Sequence, residues 1–455
     1  IGKLMETLEE NAINDNPKNL FSFPPKKLAI ILIVVFIAVG ALFTVQAVMT
    51  DEPVLTGNEA SHIFLLESTV HKGRFDSDFF RIYGGDASFY EGKYYSNKPP
   101  GYSFFLTVPY FLYVKAFGAE RPFNQRGNIF DAFHFMKYSN VLLSSLSIVM
   151  IALFLSTFKL SDRSIAFGTA AAAFGTIYPA YSVLATSIPL SLLLSISSIF
   201  FYRLFKLDRD NLIFWTISVF CAAYAVITDY SNGFFLFPLV ILALIDTKLK
   251  LRFLISALIC SLPICLLLYY NYIIFKNPFT LTYSYYIPST YVEWEGVGGA
   301  MSFLRVPRGY YGLLFSPARG LFLLSPVAVL GILALRPIFK ERSLDLKITA
   351  IMAFSLILVI SSYRHWHGGH SIGYRHIILS GVIIASLSAF FFESAGRPIK
   401  ILAVIILLFS CFTGIFSFFI EHDVELLKLT WKAEPADIHS NYYTELLFPY
   451  LRKHW

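Results

Sequence analysis

Glu59 and Asp86 are the first residues whose types suggest chemistry, because a carboxylate can take a proton from an attacking hydroxyl. Glu59 comes just before Ala60–Lys72, a stretch with apolar residues at helical spacing that Gly73 is expected to end. This pattern places Glu59 in the first turn of a helix. An acid there also complements the helix dipole, so a structural role stays open beside a catalytic one.

Lys98 is the first candidate for binding a phosphate. It stands near the end of DASFYEGKYYSNKPPG (86–101), in which the Glu-Gly pair at 91–92 predicts a turn between two short aromatic strands. The prolines at 99–100 restrict the backbone where the chain meets the next apolar stretch. A lysine held there suits a lipid phosphate, and the alternative is a lysine that anchors the following helix at the membrane surface.

Arginines and histidines gather in two later segments. RVPRGYYGLLFSPARG (305–320) carries Arg308 and Arg319, which we interpret as phosphate contacts, with interfacial anchoring as the alternative. SSYRHWHGGHSIGYRH (361–376) has three histidines that could in principle ligate a metal, although no nearby carboxylate or cysteine completes a familiar spacing. We favour a cradle for sugar and phosphate, in which an aromatic ring stacks on a pyranose. Its predicted members are His365, Trp366, His367, His370 and Arg375.

The composition places these residues in a membrane protein. Of 455 residues, 56% are hydrophobic and 15% charged, and the mean hydropathy is +0.60. The net charge of +7 does not indicate nucleic-acid binding, because the basic residues lie in short loops between apolar runs. The four cysteines fall inside apolar segments, so we expect neither a disulfide framework nor a zinc finger. The first apolar run lacks a small-residue cleavage site, so we expect no cleavable signal.

Apolar runs of about 20 residues predict an all-α polytopic membrane protein with about 11 transmembrane helices. The expected spans are 28–49, 134–158, 164–182, 185–202, 212–229, 232–246, 252–275, 320–335, 348–362, 375–392 and 400–420. They form a transmembrane domain over 28–420, after a cytoplasmic segment 1–27 and before a non-cytoplasmic tail 421–455. The spans are nearly free of charge at mid-membrane, which argues against an ion-coupled transporter.

The short apolar segment Tyr102–Val114 decides the topology. It has about 13 residues with Pro109 among them, whereas a span needs about 20. If it lies at the interface, the N-terminus and all five short basic loops are cytoplasmic, and if it crosses, those loops move outside. We therefore predict an interfacial helix at Ser103–Val114. Four polar segments then share the non-cytoplasmic face: the first loop (51–133), 276–319, 364–374 and the tail (421–455), for which we expect a small capping element.

Together these segments resemble the GT-C superfamily of polyprenyl-phosphate-sugar-dependent glycosyltransferases, and within it the branch of protein O-mannosyltransferases and lipid A aminoarabinose transferases. The likeness covers most of the chain. NEASHIFLLESTVHKGRF is similar to the family's acidic pair and surface helix, and DASFYEGKYYSNKPPGYSFFLTVPY to its Tyr…Lys-Pro-Pro element. FSPARGLFLLSP and HWHGGHSIGYR resemble later motifs of bacterial and archaeal relatives.

The resemblance implies an inverting transfer of a hexose or pentose from polyprenyl phosphate to a glycan, lipid or protein. The reaction would occur at the non-cytoplasmic face of the plasma (inner) membrane, in glycan biosynthesis for the cell envelope. Glu59 or Asp86 would deprotonate the acceptor, and Lys98 would hold the leaving phosphate. Asn58 and Tyr95 lie at substrate-binding positions of these motifs. The resemblance leaves open whether a divalent ion, Mg²⁺ or Mn²⁺, takes part.

Asn58 departs from the family pattern, in which the first acidic position is usually Asp. An amide cannot serve as a base, so either this chain is a non-catalytic relative or another acid takes the role: Glu59, Asp86, Asp51 or Glu52. Some relatives also carry an acid after the third span, and Asp229 is a candidate to replace it. The alternative function is a transporter or flippase that moves an intact lipid-linked glycan and forms no glycosidic bond.

Overall fold

A computed structural model of the chain describes residues 25–49, 56–83, 86–117, 127–208, 211–246, 250–286, 301–341, 343–369, 371–421 and 442–454. These residues are mostly helical, which confirms the predicted fold class. The N-terminal part contains α1 (Pro25–Met49), α2 (Gly57–Lys72), α3 (Phe79–Tyr83), a hairpin of β1 (Ala87–Tyr90) and β2 (Lys93–Ser96), and α4 (Gly101–Phe117).

The remaining helices differ widely in length. The middle of the chain forms α5 (Gly127–Ser156), α6 (Asp162–Phe174), α7 (Tyr178–Tyr181), α8 (Ile188–Leu207), α9 (Leu212–Thr228), α10 (Ser231–Asp246), α11 (Leu251–Cys260) and α12 (Leu262–Phe275). The last part forms α13 (Val306–Phe315), α14 (Leu321–Leu324), α15 (Val327–Leu333), α16 (Leu335–Glu341), α17 (Leu344–Ser362), α18 (Ile378–Ser394), α19 (Arg397–Glu421) and α20 (Phe448–His454). Short 3₁₀ turns occur at Thr282–Tyr285, Phe303–Arg305 and Arg375–Ile377.

Six of the described helices are long and apolar enough to cross a membrane, and the bent pair α11–α12 would add a seventh. The predicted polytopic membrane class is therefore confirmed, whereas the count of about 11 spans stays a prediction. Three predicted spans are not continuous helices, and one of them is 252–275, which is bent by 40° between α11 and α12. The span 164–182 ends as a helix at Phe174, and 320–335 is interrupted at Pro326, which has no N–H for a helical hydrogen bond.

The chain between α6 and α8 is buried and, apart from the single turn α7, irregular, and α5 supplies partners for part of its backbone. The Ser144 hydroxyl donates to the carbonyl of Ser182 at 2.7 Å, and the Asn140 amide donates to the carbonyl of Thr186 at 3.1 Å. Buried backbone groups need such partners, above all where no water can replace them. The polar residues of α5 therefore hold an irregular segment in a defined conformation.

Helix ends that carry the basic loops meet at one end of the bundle. Arg203, near the end of α8, pairs with Asp345 at the start of α17 at 3.1 Å. Glu393, near the end of α18, accepts the Ser161 N–H before α6 at 2.9 Å. Arg203 also donates to the carbonyl of Thr157 at 3.5 Å, so these four basic loops lie at one end of the bundle. The cytoplasmic place of this end stays a prediction.

The segment after the hairpin and the end of the chain also form helices. The predicted helix at Ser103–Val114 is confirmed by α4, and its place at the membrane interface stays a prediction. Within the tail, residues 442–454 pack on the bundle, where the Tyr443 hydroxyl donates to the carbonyl of Leu323 at 2.6 Å. This docking fits a capping element, and residues 422–441 lie outside the described residues.

Candidate functional site

The N-terminus of α2 is built around Glu59, which lies in the first turn as predicted. Glu59 Oε2 accepts the Thr56 N–H at 3.2 Å and its hydroxyl at 3.0 Å, while the Thr56 hydroxyl accepts the Glu59 N–H at 3.3 Å. Glu59 Oε1 accepts the Ala185 N–H at 3.0 Å. The side chain is fully buried, and burial raises the pKa of its carboxyl. Both oxygens therefore serve the fold, joining α2 to the unwound segment before α8.

The hairpin after α2 brings Asp86 and Lys98 together. Glu91 and Gly92 have φ values of 45° and 78°, which fits a tight two-residue turn and confirms the turn predicted there. The strands pair Ala87 with Ser96, so the residues just outside them meet. Lys98 Nζ lies 2.8 Å from Asp86 Oδ2, and the two side chains are 13% and 30% exposed.

Asp86 is fixed against the first turn of α2. Its N–H donates to the carbonyl of Gly57 at 3.0 Å, and the Ser61 hydroxyl donates to its carbonyl. A Cβ on Gly57 would lie 2.7 Å from Asp86 Oδ1, so the glycine leaves the space that this carboxylate occupies. Burial by itself would raise the pKa of Asp86, but the charge and hydrogen bond of Lys98 bring that pKa below its ordinary value.

Aromatic and polar groups enclose Lys98. Its Nζ lies 5.5 Å from the centre of the Tyr283 ring, and the Thr282 hydroxyl donates to the carbonyl of Asn97 at 2.6 Å. His62, one turn after Asn58 on α2, is buried, and neither ring nitrogen has a hydrogen-bond partner among the described residues. Burial, and then the charge of Lys98, lower the pKa of His62 to about 3, so its ring is neutral at pH 7.

The loop between α17 and α18 approaches Asp86 from the opposite part of the chain. Two buried groups hold it at Ile372, whose N–H donates to Glu421 Oε2 at 2.9 Å and whose carbonyl accepts the Tyr181 hydroxyl at 2.7 Å. Arg375, which follows within the loop, lies close enough for its charge to lower the pKa of Asp86. Lys98, a predicted phosphate contact, thus touches Asp86, while Arg375, another, acts on this carboxylate through its charge.

Arg319 has a different environment. Its guanidinium is buried and donates to three carbonyls of the same loop: His367 at 2.6 Å, Ser371 at 2.8 Å and Gly369 at 2.9 Å. Burial lowers its pKa to about 10, so it stays charged at pH 7. Arg319 therefore shapes the loop that carries Arg375, and three of its five N–H donors bind carbonyls of that loop. Arg308 lies exposed on α13.

The predicted sugar cradle is only partly open. Trp366 is 4% exposed, and a Cβ on Gly312 of α13 would lie 2.1 Å from its indole, so the ring packs in the fold instead of offering a face for stacking. His367 is also buried, and its Nδ1 accepts the Gly369 N–H at 3.0 Å. His365 is half-buried, with its ring 5.6 Å from that of Tyr363.

The other predicted substrate contacts differ in exposure. Tyr95 is 8% exposed and packs in an apolar cluster with Tyr270 and Phe275. Asn58 is half-buried and follows Gly57, whose carbonyl accepts the Asp86 N–H. The side-chain oxygen of Asn58 has no hydrogen-bond partner within the described ranges. Asp229 Oδ1 accepts the Ser231 N–H at 2.9 Å, which is a role at a helix start. His370, Asp51 and Glu52 lie outside the described residues.

Sequence reasoning missed four residues of this site: Gly57, Ser61, His62 and Tyr283. Ser61 and His62 follow Gly57 and Asn58 at a spacing of about one helical turn, which was the available signal. The approach of Tyr283, from a loop far along the chain, has no local signal.

A metal centre has little support from the side chains that the structure describes. Among them, no group of three or more His, Cys, Asp or Glu is placed to hold an ion. Asp86 contacts the predicted phosphate ligand Lys98, so its partner is an ammonium. The participation of a divalent ion stays a prediction of the resemblance.

The fold defines a polytopic helical membrane protein, in which the Lys98–Asp86 pair lies outside the predicted spans. No family model and no curated protein matches the sequence. Among solved structures, the chain is similar to ArnT from Cupriavidus metallidurans bound to undecaprenyl phosphate. The identity is 13% and the TM-score 0.49, over 88% of this chain and 77% of that one.

A second similar structure is the archaeal oligosaccharyltransferase AglB from Archaeoglobus fulgidus, in complex with an inhibitory peptide and a dolichol-phosphate. Here the identity is 14% and the TM-score 0.47, over 86% of this chain and 56% of that one. The chain thus spans little more than half the length of AglB.

Proposed function

We propose that this chain is a membrane glycosyltransferase that moves a sugar from a polyprenyl-phosphate donor to an acceptor hydroxyl. The observation that carries the proposal is the contact between Lys98 and Asp86 at 2.8 Å, at the start of α4. One partner suits a phosphate, and the other suits a proton from the acceptor. The motifs around both residues, which resemble those of GT-C enzymes, support the same reading.

The surface next to Lys98 suits the lipid part of such a donor. Helix α4 begins three residues after Lys98 and exposes apolar side chains along its length, among them Val108 (65%), Leu112 (60%) and Phe117 (75%). A polyprenyl chain would lie along this face while its phosphate stays at the N-terminal end of α4. That end also carries the positive side of the helix dipole.

The side chains have distinct roles in this proposal. The acceptor oxygen bonds to the anomeric carbon as the bond from that carbon to the phosphate oxygen breaks, which inverts the configuration. Asp86 takes the proton of the acceptor hydroxyl, and Lys98 and Arg375 stabilise the charge of the departing phosphate. Glu59 positions α2, because its oxygens are occupied by Thr56 and Ala185.

The acceptor and the side of the membrane belong to the same proposal. A polyprenyl-linked donor is expected to react at the non-cytoplasmic face, where the charge pattern places the hairpin. The acceptor hydroxyl belongs to a glycan, a lipid or a protein of the cell envelope. The sugar itself is a hexose or a pentose.

The test is transfer activity of the full chain in lipid nanodiscs, with radiolabelled polyprenyl-phosphate sugar extracted from the source membrane. Lys98→Ala and Asp86→Asn are each expected to lower the transfer rate about 100-fold or more, because each removes a group that acts on the transition state. Lys93→Ala is the matched control. Lys93 lies on the same hairpin, 59% exposed and 3.9 Å from Asp76, and its loss should leave the rate unchanged.

Two results would contradict the proposal. Full activity of Lys98→Ala and Asp86→Asn would remove the assigned site. Movement of an intact lipid-linked glycan across the bilayer, without a new glycosidic bond, would favour the transporter alternative.

A further inference from the structure

The predicted phosphate ligand and the predicted base are bound to each other. Lys98 Nζ and Asp86 Oδ2 lie 2.8 Å apart, which is the distance of a charge-assisted hydrogen bond. The pair is largely enclosed, with Tyr283 beside the ammonium. A phosphate that binds Lys98 must therefore share this ammonium with Asp86 or take it away.

The two backbones are anchored, but the lysine side chain has freedom. Asp86 is held by Gly57 and Ser61 of α2 through hydrogen bonds on both of its peptide groups. The Lys98 N–H donates to the Ser96 hydroxyl at 3.1 Å, which fixes the start of a flexible four-carbon stem. The ammonium can thus turn towards a second anion while the carboxylate stays in place.

Among the described residues, few positive charges lie near Asp86, so Asp86 and a bound phosphate would depend on the same cation, Lys98. Lys98 is the cation in contact with Asp86, and Arg375 acts from a greater distance. His62 is neutral because burial and Lys98 lower its pKa to about 3, so it adds no positive charge. Tyr283 is also neutral, since burial raises the pKa of its hydroxyl. A phosphate at Lys98 would meet the like charge of Asp86 in a partly buried pocket, where such repulsion is weakly screened.

We propose that Asp86 and the donor phosphate compete for Lys98, so that donor binding releases the carboxylate to act as the base. This inference rests on the proposed function and sets an order of binding, with the donor before the acceptor. While Lys98 holds Asp86, the carboxylate is a poor proton acceptor. Once the phosphate has bound the Lys98 ammonium, Asp86 can accept the proton of the acceptor hydroxyl. Lys98 then stabilises the negative charge of the departing phosphate.

If the ion pair between Lys98 and Asp86 is purely structural, a variant without the Asp86 charge should not bind phosphate more tightly. If the pair only holds the hairpin to α2, loss of the Asp86 charge loosens Lys98 and weakens phosphate binding or leaves it unchanged. If the two anions compete, the same loss frees Lys98 and strengthens binding. The sign of this change separates the two interpretations.

The experiment measures binding of polyprenyl phosphate, without a sugar, to the full chain in nanodiscs. Asp86→Asn is expected to bind the lipid phosphate about tenfold more tightly than the wild type while transfer is lost. Glu91→Gln is the matched control. It removes one negative charge from the exposed turn of the same hairpin, and its affinity should equal that of the wild type.

A second pair of variants shows whether the effect passes through Lys98. In the Lys98→Ala background the gain from Asp86→Asn should disappear, as expected for two residues that act through one contact. Asp86→Ala is a second neutral variant in case Asp86→Asn does not fold. Unchanged or weaker binding by the folded neutral variants overturns this inference and leaves the proposed function standing. A wild type that does not bind polyprenyl phosphate overturns both.

Discussion

Glu59 and Asp86 are two carboxylates of the same loop in opposite situations. Glu59 is fully buried, with hydrogen bonds to Thr56 and Ala185, whereas Asp86 is 30% exposed and contacts Lys98. A base must reach a substrate proton, and a carboxylate with both oxygens occupied by backbone donors is poorly placed to do so. The departure at Asn58 is thus compatible with catalysis, because Asp86 lies against the same turn of α2.

Glu59→Gln tests this division of roles. The amide replaces one acceptor oxygen with a donor that faces an N–H, so the free energy of unfolding should fall by about 1–3 kcal/mol, while some transfer persists. Thermal unfolding and the transfer rate are measured on the same preparation, with Asp86→Asn for comparison. Complete loss of transfer with an unchanged melting temperature would instead identify Glu59 as the base.

Glu67, two turns further along α2, gives a prediction on pH. Burial raises the pKa of its carboxyl to about 7 from an ordinary 4.5, opposed by the hydrogen bond from Tyr110, with Asp131, Lys72 and His71 nearby. Between these values the folded chain binds more protons than the unfolded chain, so stability falls as the pH rises. The loss should be on the order of 3 kcal/mol at most.

Melting temperatures of the wild type and Glu67→Gln from pH 4.5 to pH 7.5 test this point. The variant should show a flatter profile, because its neutral amide does not titrate. His71 Nε2 lies 3.4 Å from Glu67 Oε2, so His71→Gln is measured in parallel. A wild-type profile as steep as that of Glu67→Gln would show that Glu67 is not responsible.

At the scale of elements, α13 supports the loop that carries Arg375. Gly309 and Gly312 lie on one face of α13, where an added Cβ would come within 2.2 Å of the Ser361 carbonyl and 2.1 Å of the Trp366 ring. The absence of side chains lets α13 pack directly on the end of α17 and on the loop. Arg319 then holds the same loop through three carbonyls.

Gly312→Ala is expected to destabilise the chain by about 1–3 kcal/mol, because a rigid indole has little room to move. Displacement of the loop should also lower the transfer rate through Arg375. Gly396→Ala is the matched control, since a Cβ there meets no atom within 4 Å. Equal stability and activity of the two variants would show that this packing does not position the loop.

Some of these elements could be predicted from the sequence and others could not. The turn at Glu91–Gly92, the helix end at Gly73 and the place of Glu59 in a first turn follow from local residue preferences. The burial of Trp366 and the engagement of Arg319 depend on contacts with distant parts of the chain. An arginine that binds phosphate and one that binds carbonyls have the same local pattern.

The same distinction, between local residue preferences and contacts with distant parts of the chain, explains why one predicted span is not a continuous helix. Apolar composition identified most of the helices, but the segment between α6 and α8 is buried without forming a continuous helix. Its conformation depends on Asn140, Ser144 and Glu59, which supply partners for its backbone. Hydropathy reports burial, and burial does not require a helix when side chains satisfy the peptide groups.

At the scale of the whole molecule, the topology depends on α4. Single-cysteine variants at Glu91 and Lys159, made in a chain without its four native cysteines, test it with a membrane-impermeant maleimide on intact cells. If α4 lies at the interface, Glu91→Cys is labelled and Lys159→Cys is labelled only after permeabilisation. Labelling of both in intact cells would show that α4 crosses the membrane.

The central claim is that a lipid phosphate binds between Lys98 and Arg375, and a structure with bound polyprenyl phosphate tests it most directly. The expected result is a phosphate within hydrogen-bond distance of Lys98 Nζ and the Arg375 guanidinium, an apolar chain along α4, and an Asp86 carboxylate no longer in contact with Lys98. A phosphate bound elsewhere, with the Lys98–Asp86 contact still at 2.8 Å, would contradict both the assigned site and the proposed competition.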